Sequence, residues 1–142
     1  AAQHTSHGRM AFRLAKCIDL RVDQKMFEVY AGVTVELDQF TRVDPDISIA
    51  KAGLTTKTVR ASDVFWAIEV SEATRRKDLN IKAPLYAAAG IPEYWVVDLE
   101  ARGTHIHRRP SASGWGEIVE VAFDQPISPT MFPELKIALA AL

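Results

Sequence analysis

The sequence predicts an α/β (α+β) chain with a mixed central sheet flanked by helices. Two observations carry this. The order strand, helix, strand over residues 64–71, 81–89 and 93–99 reads as a βαβ unit, with a right-handed crossover by the usual rule. Short alternating runs before it read as hairpin strands, which makes the sheet mixed. Size agrees. A chain of 142 residues favours a single domain over residues 1–142. Such a domain buries roughly 68–70% of its unfolded surface, enough to fold without disulfides or metal.

Taken in order, "SHGRMAFRLAKCIDLRV" spaces Met10, Phe12, Leu14, Cys17, Ile18 and Leu20 near the helical period. This predicts a helix over residues 7–22 with Ser6 as N-cap. "KMFEVYAG" and "VTVEL" alternate around Gly32 and predict a hairpin. "FTRVDPDISIA" predicts a third strand whose pairing Pro45 limits at the start. "KAGLTTKTVRAS" is a polar connection. "VFWAIEVS", residues 64–71, is the most apolar run. Its apolar residues do not alternate, as expected of a central strand covered on both faces. "EATRRKDLN" is a charged loop or helix start. "IKAPLYAAAG" predicts a helix ending at Gly90, and "EYWVVDL" another buried strand. "GTHIHRR", "GEIVEVAF" and "FPELKIALAAL" predict peripheral strands or a terminal strand-plus-helix. "RPSASGWG" is the turn between two of them.

Hydrophobic content of 48% and charged content of 25% are those of a soluble globular protein. The one cysteine, Cys17, cannot pair within the chain, which suits a reducing, cytoplasmic setting. No run has the ~18 apolar residues of a membrane span. "AAQHTSHGRM" lacks the apolar core of a signal peptide and begins without Met. The net charge of −1 gives no overall attraction to phosphate. A nucleic-acid partner would have to be held by a local basic patch.

The glutamate inside "VFWAIEVS" is the chemical question. An unpaired buried carboxylate costs several kcal/mol even after relaxation. Glu69 must therefore lie at a wet strand end or face a cation. A plain salt bridge is the structural alternative. Period two puts Ser71 on the same face as Glu69. Lys82, on the next helix, is long enough to reach back. Asp46 follows Pro45 at the head of another strand. Two carboxylates and a lysine are a set that holds a hard divalent ion and a phosphate oxygen.

Beyond spacing, "VDPDISIA", "WAIEVSEATRRKDLNIKAPLYAAAGIPEYWVVDLE" and "FPELKIALAAL" resemble the Uma2 family, also known as DUF820. The likeness is close over residues 43–100 and loose in the flanks. These are bacterial proteins of the PD-(D/E)XK superfamily, grouped with restriction endonucleases. The resemblance implies a restriction-endonuclease-like fold and Mg²⁺-dependent (or Mn²⁺-dependent) endonuclease action on DNA. Asp46 and Glu69 would be the metal-binding acids and the Val70 carbonyl a further ligand. Ser71 stands where the superfamily has its lysine, and the resemblance implies that this lysine has moved to Lys82. The family's usual extra N-terminal segment is missing before the first helix, and His7 looks like the histidine commonly found there. A catalytically silent module that binds nucleic acid or a protein is the rival reading. A hydrolase for another substrate is a third.

Other residues have plain readings beside functional ones. Tyr86, four residues after Lys82, either lines the cleft or packs in the interior. Asp78 is placed to pair with Lys82. Arg75, Arg76 and Lys77 either contact phosphate or form a solvated loop. His105 and His107 share a strand face but have no evident third ligand for zinc. Trp66, Trp95 and Tyr94 are core residues, and Asp98 is a turn residue or supports the acids. A two-fold homodimer would match a duplex, and the apolar "LKIALAAL" is either its interface or part of the chain's own core.

Overall fold

The computed structural model describes residues 5–72 and 78–142, residue 78 by its backbone alone. Helix α1 spans Thr5–Asp19 and buries His7, Leu14 and Ile18 along one stripe. Ser6 therefore lies inside the helix and not at its N-cap. Its hydroxyl donates to the carboxylate of Glu72 instead.

The main sheet holds six strands. These are β1 (Phe27–Ala31), β4 (Ile47–Lys51), β6 (Val64–Ser71), β7 (Glu93–Asp98), β8 (Gly103–Ser111) and β9 (Gly114–Ala122), in that order across the sheet. A small second sheet has the order β3 (Arg42–Val43), β2 (Val35–Glu36), β5 (Val59–Arg60). Within the main sheet β6 and β7 run parallel. All other neighbours are antiparallel, so the sheet is mixed, as predicted. Helix α2 (Ala83–Ala88) lies between β6 and β7 in sequence and completes the βαβ unit. Strands β6 and β7 are buried almost throughout, because each sheet face carries its own cover.

Period two sorts the central residues into two cores. Ile47, Ile49, Trp66, Ile68, Val70, Trp95 and Val97 pack with Leu14 and Ile18 of α1. Ala50, Ala67, Tyr94 and Val96 pack with Ala83, Tyr86 and Ala87 of α2 and with Val35, Val43 and Val59 of the small sheet. Trp66 and Trp95 stack edge to face at 4.6 Å, the core role expected of them.

Three expectations change. The hairpin around Gly32 does not form. β1 pairs over its whole length with β4, and β2 joins the small sheet. Phe27 and Val29 serve the α1 core, whereas Val35 serves the α2 core. Gly32, at φ 68°, lets the chain leave the sheet. The stretch around Pro45 makes two strands in different sheets, β3 and β4, because proline offers no N–H to a ladder. The C-terminal stretch forms no helix. Leu135, Ile137 and Leu139 alternate and are all buried in the α1 core. An Ile127–Ile137 bridge and one 3₁₀ turn, Leu139–Ala141, are its regular structure. Among the described residues no helix is long and apolar enough to cross a membrane.

Candidate active site

Glu69 sits two residues before the end of β6 and is 4% exposed. The β4–β6 register pairs Ile47 with Ile68 and Ser48 with Ala67. One step further, Asp46 stands opposite Glu69 on the same sheet face. The main chain confirms the placement, since the Val70 N–H donates to Asp46 Oδ2 at 2.7 Å. The Asp46 carbonyl accepts from Gly32 N at 3.1 Å, and His7 Nε2 lies 3.3 Å from Asp46 Oδ1. Asp46 is thus held by α1, by the turn after β1, and by β6.

Glu69 is held from the other side. Tyr86 donates its hydroxyl to Glu69 Oε1 at 3.1 Å. Lys82 Nζ lies 3.4 Å from Glu69 Oε2. The local chain explains how one short segment delivers both. Residues Asp78–Lys82 form a π-helical turn that runs into α2. Pro84 falls in the first turn of α2, where its missing N–H breaks no helical bond. Lys82 and Tyr86 are then four residues apart on one face. The helix ends at Gly90, φ 79°, as expected. Tyr86 is fully buried and stacks on Tyr94 at 4.3 Å. Burial pushes its phenol far above the ordinary value, and the charges of Glu69 and Asp46 push the same way. The phenol therefore stays protonated and donates to Glu69.

These acids fit a hard cation. Facing carboxylates repel unless positive charge or a proton lies between them. Mg²⁺ takes one or two carboxylates, waters and substrate oxygens. In an extended strand a residue's N–H and C=O point to the same side. The Val70 carbonyl therefore faces the Asp46 side with its N–H, where a third oxygen would be needed. Among the described residues no three His, Cys, Asp or Glu side chains gather to hold a metal. His107 donates its Nδ1–H to the Tyr94 carbonyl at 3.0 Å.

Ser71 is buried on the Glu69 face, and its carbonyl accepts from Leu99 N at 2.8 Å. Arg75, Arg76 and Lys77, and the side chain of Asp78, lie outside the described residues. Asp98 is a turn residue. Its Oδ1 accepts from Glu100 N and Ala101 N, each at 3.0 Å. The Ser6–Glu72 bond, which ties α1 to the end of β6, was missed because Ser6 also reads as a cap. Nothing in local sequence pairs residues 66 positions apart.

A mixed sheet with an acid pair at the ends of its central strands defines a restriction-endonuclease-like fold. The chain belongs to the Uma2 family, described as "putative restriction endonuclease", whose model matches residues 1–140. The fold is also that of a solved "putative nuclease belonging to DUF820" from Anabaena variabilis. That structure is 13% identical, with a TM-score of 0.77 over 99% of this chain and 81% of the other. No curated protein matches the chain.

Proposed function

We propose that this chain is an endonuclease that hydrolyses DNA phosphodiester bonds with Mg²⁺ or Mn²⁺. One observation carries the reading: Asp46 and Glu69 face each other across β4 and β6 with Lys82 set against Glu69. Asp46, Glu69 and the Val70 carbonyl would hold the ion, which supplies a water of lowered pKa and stabilises the leaving oxygen. The chain's own groups do the rest. His7 and the Val70 N–H fix the Asp46 carboxylate. Tyr86 fixes one oxygen of Glu69. Lys82, about one-third exposed, sets its Nζ beside Glu69, where it orients the attacking water or offsets charge growing on the phosphate. Ser71 takes no direct part in this scheme.

One such site cuts one strand, so cutting both requires two copies, and a two-fold dimer is the economical arrangement. Leu135, Ile137 and Leu139 are spent on the chain's own core, so the dimer face would lie elsewhere. The rival module that binds without cutting draws on the net charge of −1. A plasmid-nicking assay decides between them. Nicking in Mg²⁺ or Mn²⁺, absent in chelator and in Glu69→Ala, is the expected result. Wild-type protein that never nicks, or a variant that nicks equally well, removes the catalytic reading.

A further inference from the structure

A net charge of −1 leaves open how a polyanion would be held, and the expected loop at 75–77 lies outside the described residues. A cleft of about 270 Å³ offers a different answer. Ser6, Arg9, Met10 and Arg13 of α1 line it on one side, and Glu72, Leu99, Arg102, Phe123 and residues 139, 140 and 142 line the rest. On α1, residues 6, 9, 10 and 13 share one face, beside the buried stripe that carries His7. The cleft lies on the α1 face of the sheet, at the same end as the acid pair. His7 contacts Asp46, and one residue away Ser6 bonds Glu72, which directly follows β6.

Arginines outnumber acidic side chains in this cleft three to one. Arg9, Arg13 and Arg102 make no ion pair or side-chain hydrogen bond with any described residue. Arg9 and Arg13 repel each other at i,i+4. Arg102 is held in the left-handed region at φ 52°, a conformation that is costly outside glycine. Buried Asp98 shapes the turn that precedes it through its bonds to Glu100 N and Ala101 N. The Arg102 guanidinium rests over the Phe123 ring at 5.2 Å, which presents it without using its hydrogen-bonding edge. Three guanidiniums face one carboxylate side chain, that of Glu72. Such forks suit phosphate oxygens.

We propose that Arg9, Arg13 and Arg102 form a track for the nucleic-acid backbone flanking the phosphodiester bond at Asp46 and Glu69. The track rests on the nuclease reading for its substrate, but it can be tested without cleavage. Fluorescence anisotropy with a duplex oligonucleotide, in chelator and over a range of salt, reads the arginine–phosphate interactions directly. Removing one such interaction lowers the slope of log K against log salt by about 0.9. The exposed positions allow Arg9→Gln, Arg13→Gln, Arg102→Gln and the triple variant to be made without touching the core. The triple variant is expected to lose affinity and about two to three units of slope, with an unchanged circular dichroism spectrum. Because binding is read without metal, a protein that never cuts but loses slope with its arginines still supports the track. Only the catalytic reading falls. Unchanged affinity and slope in the triple variant, or no binding by wild type, overturns the track. A thermal shift by inorganic phosphate that the triple variant loses, with oligonucleotide affinity unchanged, overturns it in favour of a small-anion site.

Discussion

Two glutamates on neighbouring parallel strands, both almost fully buried, are held in opposite ways. Glu93 opens β7 and is 2% exposed. Thr130 N donates to its Oε1 at 2.8 Å. Trp95 Nε1 donates to its Oε2 at 2.5 Å, and Arg108 Nη2 reaches the same oxygen at 3.3 Å. Arg108 in turn donates to the Ser128 carbonyl at 2.6 Å. The acid thus ties β7 and β8 to the C-terminal segment through partners on three elements. Glu69 lies at the other end of the sheet. Lys82 and Tyr86 reach it at 3.4 and 3.1 Å, and a second carboxylate stands across from it. A carboxylate that serves the fold is surrounded by donors. One set beside another acid at a strand end is the better candidate for chemistry.

Activity should separate the two acids most widely. Glu69→Gln and Lys82→Ala are expected to lower metal-dependent nicking by about 10²–10³-fold or more while the melting temperature holds. If Lys82→Ala cuts as fast as wild type, the lysine belongs to structure and the two glutamates are alike. At the other end the effect falls on stability. Glu93→Ala deprives Thr130, Trp95 and Arg108 of their shared buried acceptor and is expected to cost about 1–3 kcal/mol in urea unfolding. The double variant Glu93→Leu/Arg108→Met should cost less than the sum of its single changes. An additive result would show that Glu93 and Arg108 do not act as a pair.

Smaller effects bear on the same contrast. Tyr86→Phe keeps the stack on Tyr94 and removes one hydrogen bond. About 0.5–1.5 kcal/mol of stability should go with it, together with part of the activity, as Glu69 loses its anchor. A Tyr86→Phe protein with full activity would show that the phenol only packs. The smallest effect is a pH dependence from His107. Burial holds its pKa below the usual 6.5, against the Tyr94 hydrogen bond, which works the other way. The native state resists the proton that the unfolded chain accepts, so this contribution is present above about pH 6.5 and shrinks as the pH falls. Urea midpoints at pH 7.5 and 5.5 should differ less in His107→Phe than in wild type. Equal differences would remove His107 as a source of acid sensitivity.

Much of this was legible in the sequence, for physical reasons that operate locally. Continuous apolar runs mark β6 and β7 as central strands, because strands covered on both faces have no polar side. Gly90 marks the end of α2. A glutamate in a buried run demands partners wherever it folds, which singled out Glu69, and a long lysine stem one element later made Lys82 a reasonable partner. Tertiary structure alone decided the rest. The hairpin around Gly32 has a sound local pattern, but Val29 and Val35 belong to different cores, and core membership is not a local property. The C-terminal residues read as strands or as strand plus helix, and their alternation is settled by the hydrophobic floor beneath α1. The partners of Glu93 are not local, because Arg108 and Thr130 reach it from distant parts of the chain. The basic cleft was hidden for the same reason. Arg9 and Arg102 are 93 positions apart, and only the packing of α1 beside the β7–β8 turn puts their charges in one place.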